Sequence, residues 1–182
     1  MTKKINQGEW RNRIVGSGME QAGSFLANDK NWRVHPKPQQ DALCGVLSEV
    51  GWVQQVIVNK RTSEQWGKDQ NVETLVDGHL RVTLALRAGE ETEVPVLYVD
   101  LTPGEEAEVL ATLDPIAALA VPDKGKLEEL LREVQSGDAA VQEFLANMAI
   151  KQLLTIPGDN KEIDENKLSK TEHECPKCGF KW

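Results

Sequence analysis

The sequence predicts an α+β protein, and three observations carry that expectation. Short β-branched runs alternate with runs at helical spacing as far as about residue 101. One of those runs ends in a glycine and opens directly into a helix-like run. From residue 102 to about residue 155 the pattern becomes helical.

The elements follow in order. Residues 1–12 are polar and basic and read as a flexible arm. Arg13-Ile14-Val15-Gly16 is a short strand, and residues 20–36 are irregular. Pro36 and Pro38 suit the start of a helix over residues 38–50, with Ala42, Leu43, Val46, Leu47 and Val50 on one face. Gly51 ends it, and Val53 to Asn59 is a strand. Lys60 to Asn71 is a polar insertion, expected as a long turn, from which Val72 to Val76 returns as the second arm of a hairpin. A helix covers 79–88 and stops at Gly89, and Val94 to Leu101 is the next strand. Thr102-Pro103-Gly104-Glu105 has the form of a capping box with Pro at the first helical position. Its helix carries Ala107, Leu110 and Leu113 and is expected to break or restart at Pro115. Leu127, Leu130, Leu131 and Val134 have helical spacing, as do Val141, Phe144, Leu145 and Met148. Ser136-Gly137-Asp138 separates these two runs as an αα-hairpin. Residues 121–155 thus form a helical extension, and the polar stretch 156–172 reads as a linker.

Composition narrows the class. The 182 residues, 40% hydrophobic and 27% charged, suffice for one sizeable core. No run approaches the roughly 18 apolar residues of a membrane span. The N-terminus is basic without an apolar segment, so a cytoplasmic protein is expected. Three cysteines, two of them in one C-x-x-C, do not make a disulfide framework. The net charge of −8 disfavours nonspecific coating of DNA. It is uneven: residues 1–40 carry seven Lys/Arg against three Asp/Glu. This basic segment is a candidate contact for DNA, or equally a solubilising tail.

The chemistry concentrates in Asp77-Gly78-His79-Leu80-Arg81. A strand that turns through a glycine into a helix gathers free backbone N–H groups and the positive end of the helix dipole. Such a point binds anions, phosphate above all. Gly78 would let a phosphate approach the backbone, and Arg81, one turn in, can add a bidentate clamp. Asp77 can hold a cation or a substrate hydroxyl, and His79 can donate, accept or carry a proton. Taken alone, the pentapeptide favours a plain turn with a capping charge.

The surrounding order adds to it. Asn31-Trp32-Arg33-Val34-His35-Pro36, Gln39-Gln40, Leu47 to Gln54 and Val56 to Asn59 lead to the Asp77–Arg81 box. Ala85, Gly89 and Val94-Pro95-Val96 follow. This order resembles the ParB/sulfiredoxin superfamily, in particular the ParB-like "nuclease" domains of phages and of DNA-methylase neighbourhoods. The resemblance covers residues 13–120, and its most specific element is the Gly-His-Leu-Arg box, similar to the family's G-x-x-R phosphate motif. It implies a small mixed sheet with helices, and a phosphate site at the Gly78 turn. ParB proteins bind and hydrolyse CTP, sulfiredoxins use ATP, and a relative that phosphorylates free serine has a D-G-H-x-R motif. Carried over, Gly78, His79 and Arg81 would contact phosphates, and Asp77 would orient a Mg²⁺-bound nucleotide or its acceptor. The box holds no cysteine, which argues against sulfiredoxin chemistry. No helix-turn-helix module is evident, which argues against centromere clamping.

Three further positions are candidates. His35, ahead of Pro36, either reaches the phosphate turn as an acid or base or serves as a structural hydrogen-bonder. Gln40 lies in the same matching stretch. Asp114 either ligates a metal or caps the next helix, with capping the simpler role. Trp52 is expected in the core, and Trp32 either packs or stacks on a base.

His173-Glu174-Cys175-Pro176-Lys177-Cys178-Gly179 looks like one knuckle of a zinc ribbon. Cys175 and Cys178 are strong ligands and His173 a third candidate, so a structural zinc would be shared between two chains or completed by a partner protein. The alternative is a knuckle without metal. Cys44 is expected as a small buried residue. The functional expectation is therefore a nucleotide- or nucleic-acid-phosphate-binding domain in a phage or bacterial DNA-processing context, with NTP hydrolysis or phosphotransfer as its candidate reactions. The alternatives are a noncatalytic DNA- or protein-binding adaptor that docks through the knuckle, and a metal-dependent DNA nuclease.

Overall fold

The computed structural model describes residues 10–67 and 72–153. The fold is α+β: a mixed four-stranded sheet with helices. Strand β1 spans Ile14–Gln21, β2 Val56–Lys60, β3 Glu73–Asp77 and β4 Glu93–Val99. Their spatial order is β1-β4-β2-β3, with β1/β4 and β2/β3 antiparallel and β2/β4 parallel. Helix α1 is Lys37–Glu49, α2 Ser63–Trp66, α3 His79–Ala88, α4 Pro103–Ala117, α5 Lys124–Glu133 and α6 Ala139–Leu153. No helix among the described residues is long and apolar enough to cross a membrane.

Alternation builds the core. Val94, Val96 and Tyr98 of β4 pack with Val56 and Val58 of β2, Leu75 of β3, and Val82 and Ala85 of α3. Phe25 and Trp52 close the edge of this cluster. Each fully buried aliphatic side chain contributes about 1.5–3 kcal/mol. Helix α3 carries the chain from β3 past β2 to β4, so the end of β3 and the start of α3 are fixed by the best-packed part of the molecule. Leu75 N–H donates to the Leu26 carbonyl at 2.9 Å, and this pins the irregular segment after β1 along β3.

Several local expectations are corrected. The first strand runs on to Gln21, and the second starts at Val56 instead of Val53, whose side chain is exposed. The polar insertion contains the short helix α2. Helix α4 has the expected capping box, with Thr102 and Glu105 reciprocally bonded, but it runs through Pro115. Only one interior hydrogen bond is lost there, because the helix ends at Ala117 anyway. Cys44 is exposed, since α1 turns Ala42 and Gly45 inward instead. Val50, past the end of α1, is also exposed. Trp32 is largely exposed and is held by its Nε1–H, which donates to the Leu110 carbonyl at 3.1 Å.

Helices α1 and α6 pack together at Gly45. A Cβ there would lie 2.5 Å from Asp138 Oδ1 and 2.7 Å from Val141 Cγ2. Glu49 accepts from Ser136 Oγ and from the N–H groups of Gly137 and Asp138, at 2.7, 2.7 and 2.8 Å, and so anchors the approach to α6. Helix α5 has helical spacing but buries none of its residues.

Candidate functional site

The turn between β3 and α3 is specified by Gly78, with φ +94° and ψ 17°, the left-handed region that favours glycine. A Cβ at Gly78 would lie 2.5 Å from Val56 Cγ1. The glycine is therefore required by the packing of the turn on β2 as well as by its dihedrals. With no side-chain cap, the first N–H groups of α3 are left to whatever lies before them.

What lies before them is a cleft of about 270 Å³ lined by Arg33, His35, Gln39, Gln54, Asp77, Gly78, His79, Arg81 and Asp114, among others. Of the residues singled out in the sequence, Asp77, Gly78, His79, Arg81, His35 and Asp114 meet here. Gln40 stands behind the wall: its Nε2 donates to the His35 carbonyl at 2.7 Å, while its neighbour Gln39 faces the cleft and meets His35 Nδ1 at 3.1 Å. Asp114 does not cap the next helix, because it lies inside α4; that cap is Asp123, which accepts from Lys126 N–H. Cys175, Cys178 and His173 lie outside the described residues.

Arg33 has no distinct role in the sequence pattern, and the structure makes it the second cation of the cleft. Its Nη1 is 2.9 Å from Asp114 Oδ2 and 3.9 Å from Asp77 Oδ1. Arg81 Nη2 donates to Asp77 Oδ2 at 2.7 Å, and its Nη1 reaches the Gln54 carbonyl at 3.4 Å. Both guanidinium groups are well shielded, with side-chain exposures of 16% for Arg33 and 12% for Arg81. Two arginines thus flank one aspartate at the mouth of a helix, and a second aspartate closes over one of them. A guanidinium has five N–H donors, and each of these has some left for a ligand.

His79 opens α3. Its Nε2 accepts the N–H of Asn28 at 3.2 Å. Its pKa is lowered from the ordinary imidazole value, first by burial and then by the nearby charges of Arg33 and His35, against the opposing pull of Asp77.

Behind this wall lies a buried polar network that the sequence pattern does not announce. Glu106 is fully buried (0% exposed). Its Oε1 accepts from Asn28 Nδ2 at 2.8 Å and from Arg61 Nη2 at 2.6 Å, and its Oε2 accepts from Asn59 Nδ2 at 2.7 Å and Arg61 Nε at 3.1 Å. Arg61 in turn stacks 4.2 Å from the Trp66 ring centroid. These four hydrogen bonds offset the desolvation of the carboxylate and hold its pKa below the ordinary value in spite of burial. The sequence holds one faint signal: of the adjacent Glu105 and Glu106, a capping box can use only one.

No protein-family model and no curated protein matches the chain. Among solved structures, it is similar to the C-terminally truncated chromosome-partitioning protein ParB from Caulobacter crescentus complexed with CTP-γ-S, at 15% identity and a TM-score of 0.46. That match covers 74% of this chain and 87% of the other. It is similar to a Pnob8-like ParB-N domain at 15% identity and a TM-score of 0.43, covering 94% of this chain and 58% of the other. The same Caulobacter crescentus protein complexed to the centromeric parS site matches at 15% identity and a TM-score of 0.42, over 78% of this chain and 73% of that one.

Proposed function

We propose that this protein binds the phosphate groups of a nucleotide or nucleic acid in the cleft before α3. The observation that supports the reading best is the convergence of two shielded arginines, Arg33 and Arg81, on the uncapped start of α3. In a chain of net charge −8, two arginines beside free helix N–H groups favour an anion as the ligand. Asp77 and Asp114 hold the guanidinium groups, and a phosphate would take over some of those donors. Gln39 and Gln54 on the cleft wall supply polar groups for the rest of such a ligand. A phage or bacterial DNA-processing context, with turnover of the bound nucleotide, is what the resemblance of residues 13–120 to ParB-like domains implies.

The nuclease reading is weaker on the same geometry. Asp77 and Asp114 both line the cleft, but both carboxylates are engaged by arginines, which suits them to regulating anion access better than to gathering metal ions. The adaptor reading rests on the Cys175–Cys178 knuckle. Its test is metal analysis: zinc at half to one equivalent per chain, lost when both cysteines become Ser.

Titration calorimetry of wild type and Arg81→Ala with Mg²⁺-CTP, Mg²⁺-ATP and a short DNA duplex tests the phosphate reading. Binding of at least one ligand, weakened in the variant, is the expected result. Identical behaviour of both proteins toward every ligand would remove the reading and leave the turn as structure alone.

A further inference from the structure

Glu106 is a buried charge that the phosphate reading does not use, and Asn28 joins it to a residue that the reading does use. The backbone N–H of Asn28 donates to His79 Nε2, and the side-chain amide of Asn28 donates to Glu106 Oε1. Asn28 is itself buried, and its Oδ1 accepts from Lys30 N–H at 3.0 Å. Its position is therefore set on three sides. The anchor at the far end is firm, since Arg61 and Asn59 between them make three hydrogen bonds to the Glu106 carboxylate.

The acceptor role of Nε2 has a chemical consequence. A proton on Nε2 would set two N–H donors against each other at 3.2 Å. The imidazole must then carry its proton on Nδ1. No buried side-chain nitrogen or oxygen among the described residues lacks a partner, and His79 Nδ1 makes no hydrogen bond there, so Nδ1 is open to solvent on a residue that lines the cleft.

We propose that Glu106, acting through Asn28, is a positioning residue that holds His79 as the Nδ1–H tautomer, a fixed neutral donor to the ligand of the cleft. The proposal rests on the phosphate reading for the identity of that ligand. It assigns His79 to binding. Nε2, the atom a general base would use, is already occupied. Loss of the Nδ1 proton from a neutral ring would leave an imidazolate. Arg33 and Arg81 supply the charge, and His79 supplies direction.

The experiment is long-range ¹H–¹⁵N correlation of the histidine rings in the ligand-free protein, in wild type, Asn28→Ala and Glu106→Gln, with His79→Gln for assignment. In wild type, His79 should show a protonated Nδ1 and an unprotonated Nε2. In Asn28→Ala the anchored side chain is gone while the backbone N–H remains, and His79 should become a mixture of tautomers. Glu106→Gln should give the same change where it folds; otherwise Asn28→Ala, which leaves the Glu106–Arg61 pair intact, decides the matter. A wild-type ring protonated on Nε2 would overturn the proposal. So would an unchanged tautomer in Asn28→Ala, even with lowered thermal stability, since a purely structural network predicts that combination. In parallel titrations with Mg²⁺-CTP, Mg²⁺-ATP and DNA, Asn28→Ala should bind roughly 3- to 10-fold more weakly, the effect of one neutral hydrogen bond. If no phosphate ligand binds either protein but the tautomer still shifts, the phosphate reading fails and the positioning of His79 stands.

Discussion

The turn before α3 and the helix α5 are both conspicuous in the sequence, and they behave in opposite ways. The turn is a short, irregular feature that the fold locks from every side: by the dihedrals of Gly78, by Val56 behind it, and by Asn28 across from it. Helix α5 has a regular apolar spacing and its own Asp123 cap, yet it leaves even Leu127 and Leu131 only half-buried, and it lies along α6. Periodicity says that a helix forms. It does not say how deeply the apolar face is covered, because that depends on where the chain returns. Helix α6, which follows, packs on α1 and buries Val141, while α5 lies against α6 with none of its residues fully buried.

The sharpest way to break this contrast is to remove the buried anchor. Glu106→Ala leaves the Arg61 guanidinium without its carboxylate in a dry site. The expected loss is about 3–5 kcal/mol, the range for breaking a buried pair from one side. Urea denaturation measures it. A loss below about 1 kcal/mol would mean that water replaces the carboxylate and that the network is softer than its hydrogen bonds imply.

Gly78→Ala comes next. It places a Cβ at positive φ and 2.5 Å from Val56 Cγ1, so strain and overpacking combine to about 2–4 kcal/mol. Gly51→Ala is the control that separates the two. Gly51 has φ +89° but nothing within 4 Å of its Cβ position, so only the conformational cost of about 1 kcal/mol remains. Thermal melts of the two variants should therefore differ; equal shifts would show that Val56 yields to the added methyl.

The cleft can be tested without touching the fold. Arg81→Ala should weaken phosphate-ligand binding by about 1.5–3 kcal/mol, as expected for a charge-assisted contact. Asp114→Asn should act in the other direction. It loosens the hold on Arg33 at 2.9 Å and should tighten binding by up to about 1 kcal/mol, because Asp114 is largely exposed and screened. Calorimetry that found Asp114→Asn weaker than wild type would show that Asp114 orients Arg33 for the ligand and does not compete with it.

Much of the site is legible in the sequence for physical reasons. Gly78, His79 and Arg81 are local in sequence, and a strand–glycine–helix step brings its own geometry. His35 and Asp114 are placed in the cleft only by tertiary folding, and Arg33, which joins them there, looks in the sequence like any surface arginine. Asn28, Asn59, Arg61 and Glu106 are not legible, since four polar residues spread over 79 positions give no periodic signal. Their burial is a property of how α4 and the loop at Asn28 close on β2 and β3. The path of α4 through Pro115 departs from expectation because a proline near a helix end removes one hydrogen bond without a following turn to disrupt.

The two helical faces give a smaller contrast. Val141, buried under α1 at 6% exposure, should cost about 1–3 kcal/mol when changed to Ala. Leu130 of α5, 56% exposed, should cost less than about 0.5 kcal/mol. The difference between them in chemical denaturation measures how far α5 belongs to the folded unit. A Leu130→Ala loss as large as that of Val141→Ala would mean that the outer face of α5 is covered in solution.

The smallest expected effect is a pH dependence, and it separates the wall of the cleft from the cap of α4. His79 has a lowered pKa in the folded protein. As pH falls below the ordinary imidazole value of about 6.5, the unfolded chain takes up this proton before the folded one does. Stability should therefore decline gently from about pH 6.5 downward, and His79→Gln should flatten that slope. Glu105 contributes in a different window. Its pKa is lowered to about 2, first by the Thr102 N–H, then by the Thr102 hydroxyl and by Arg13. Its stabilisation is present above the ordinary carboxylate range and is lost as pH falls toward about 2. Glu105→Gln should alter the acid limb alone and leave the slope near about pH 6 as it is. Denaturation midpoints across pH read both. If His79→Gln leaves that upper slope intact, the wall around His79 does not disfavour its charged form, and the group that titrates there lies elsewhere.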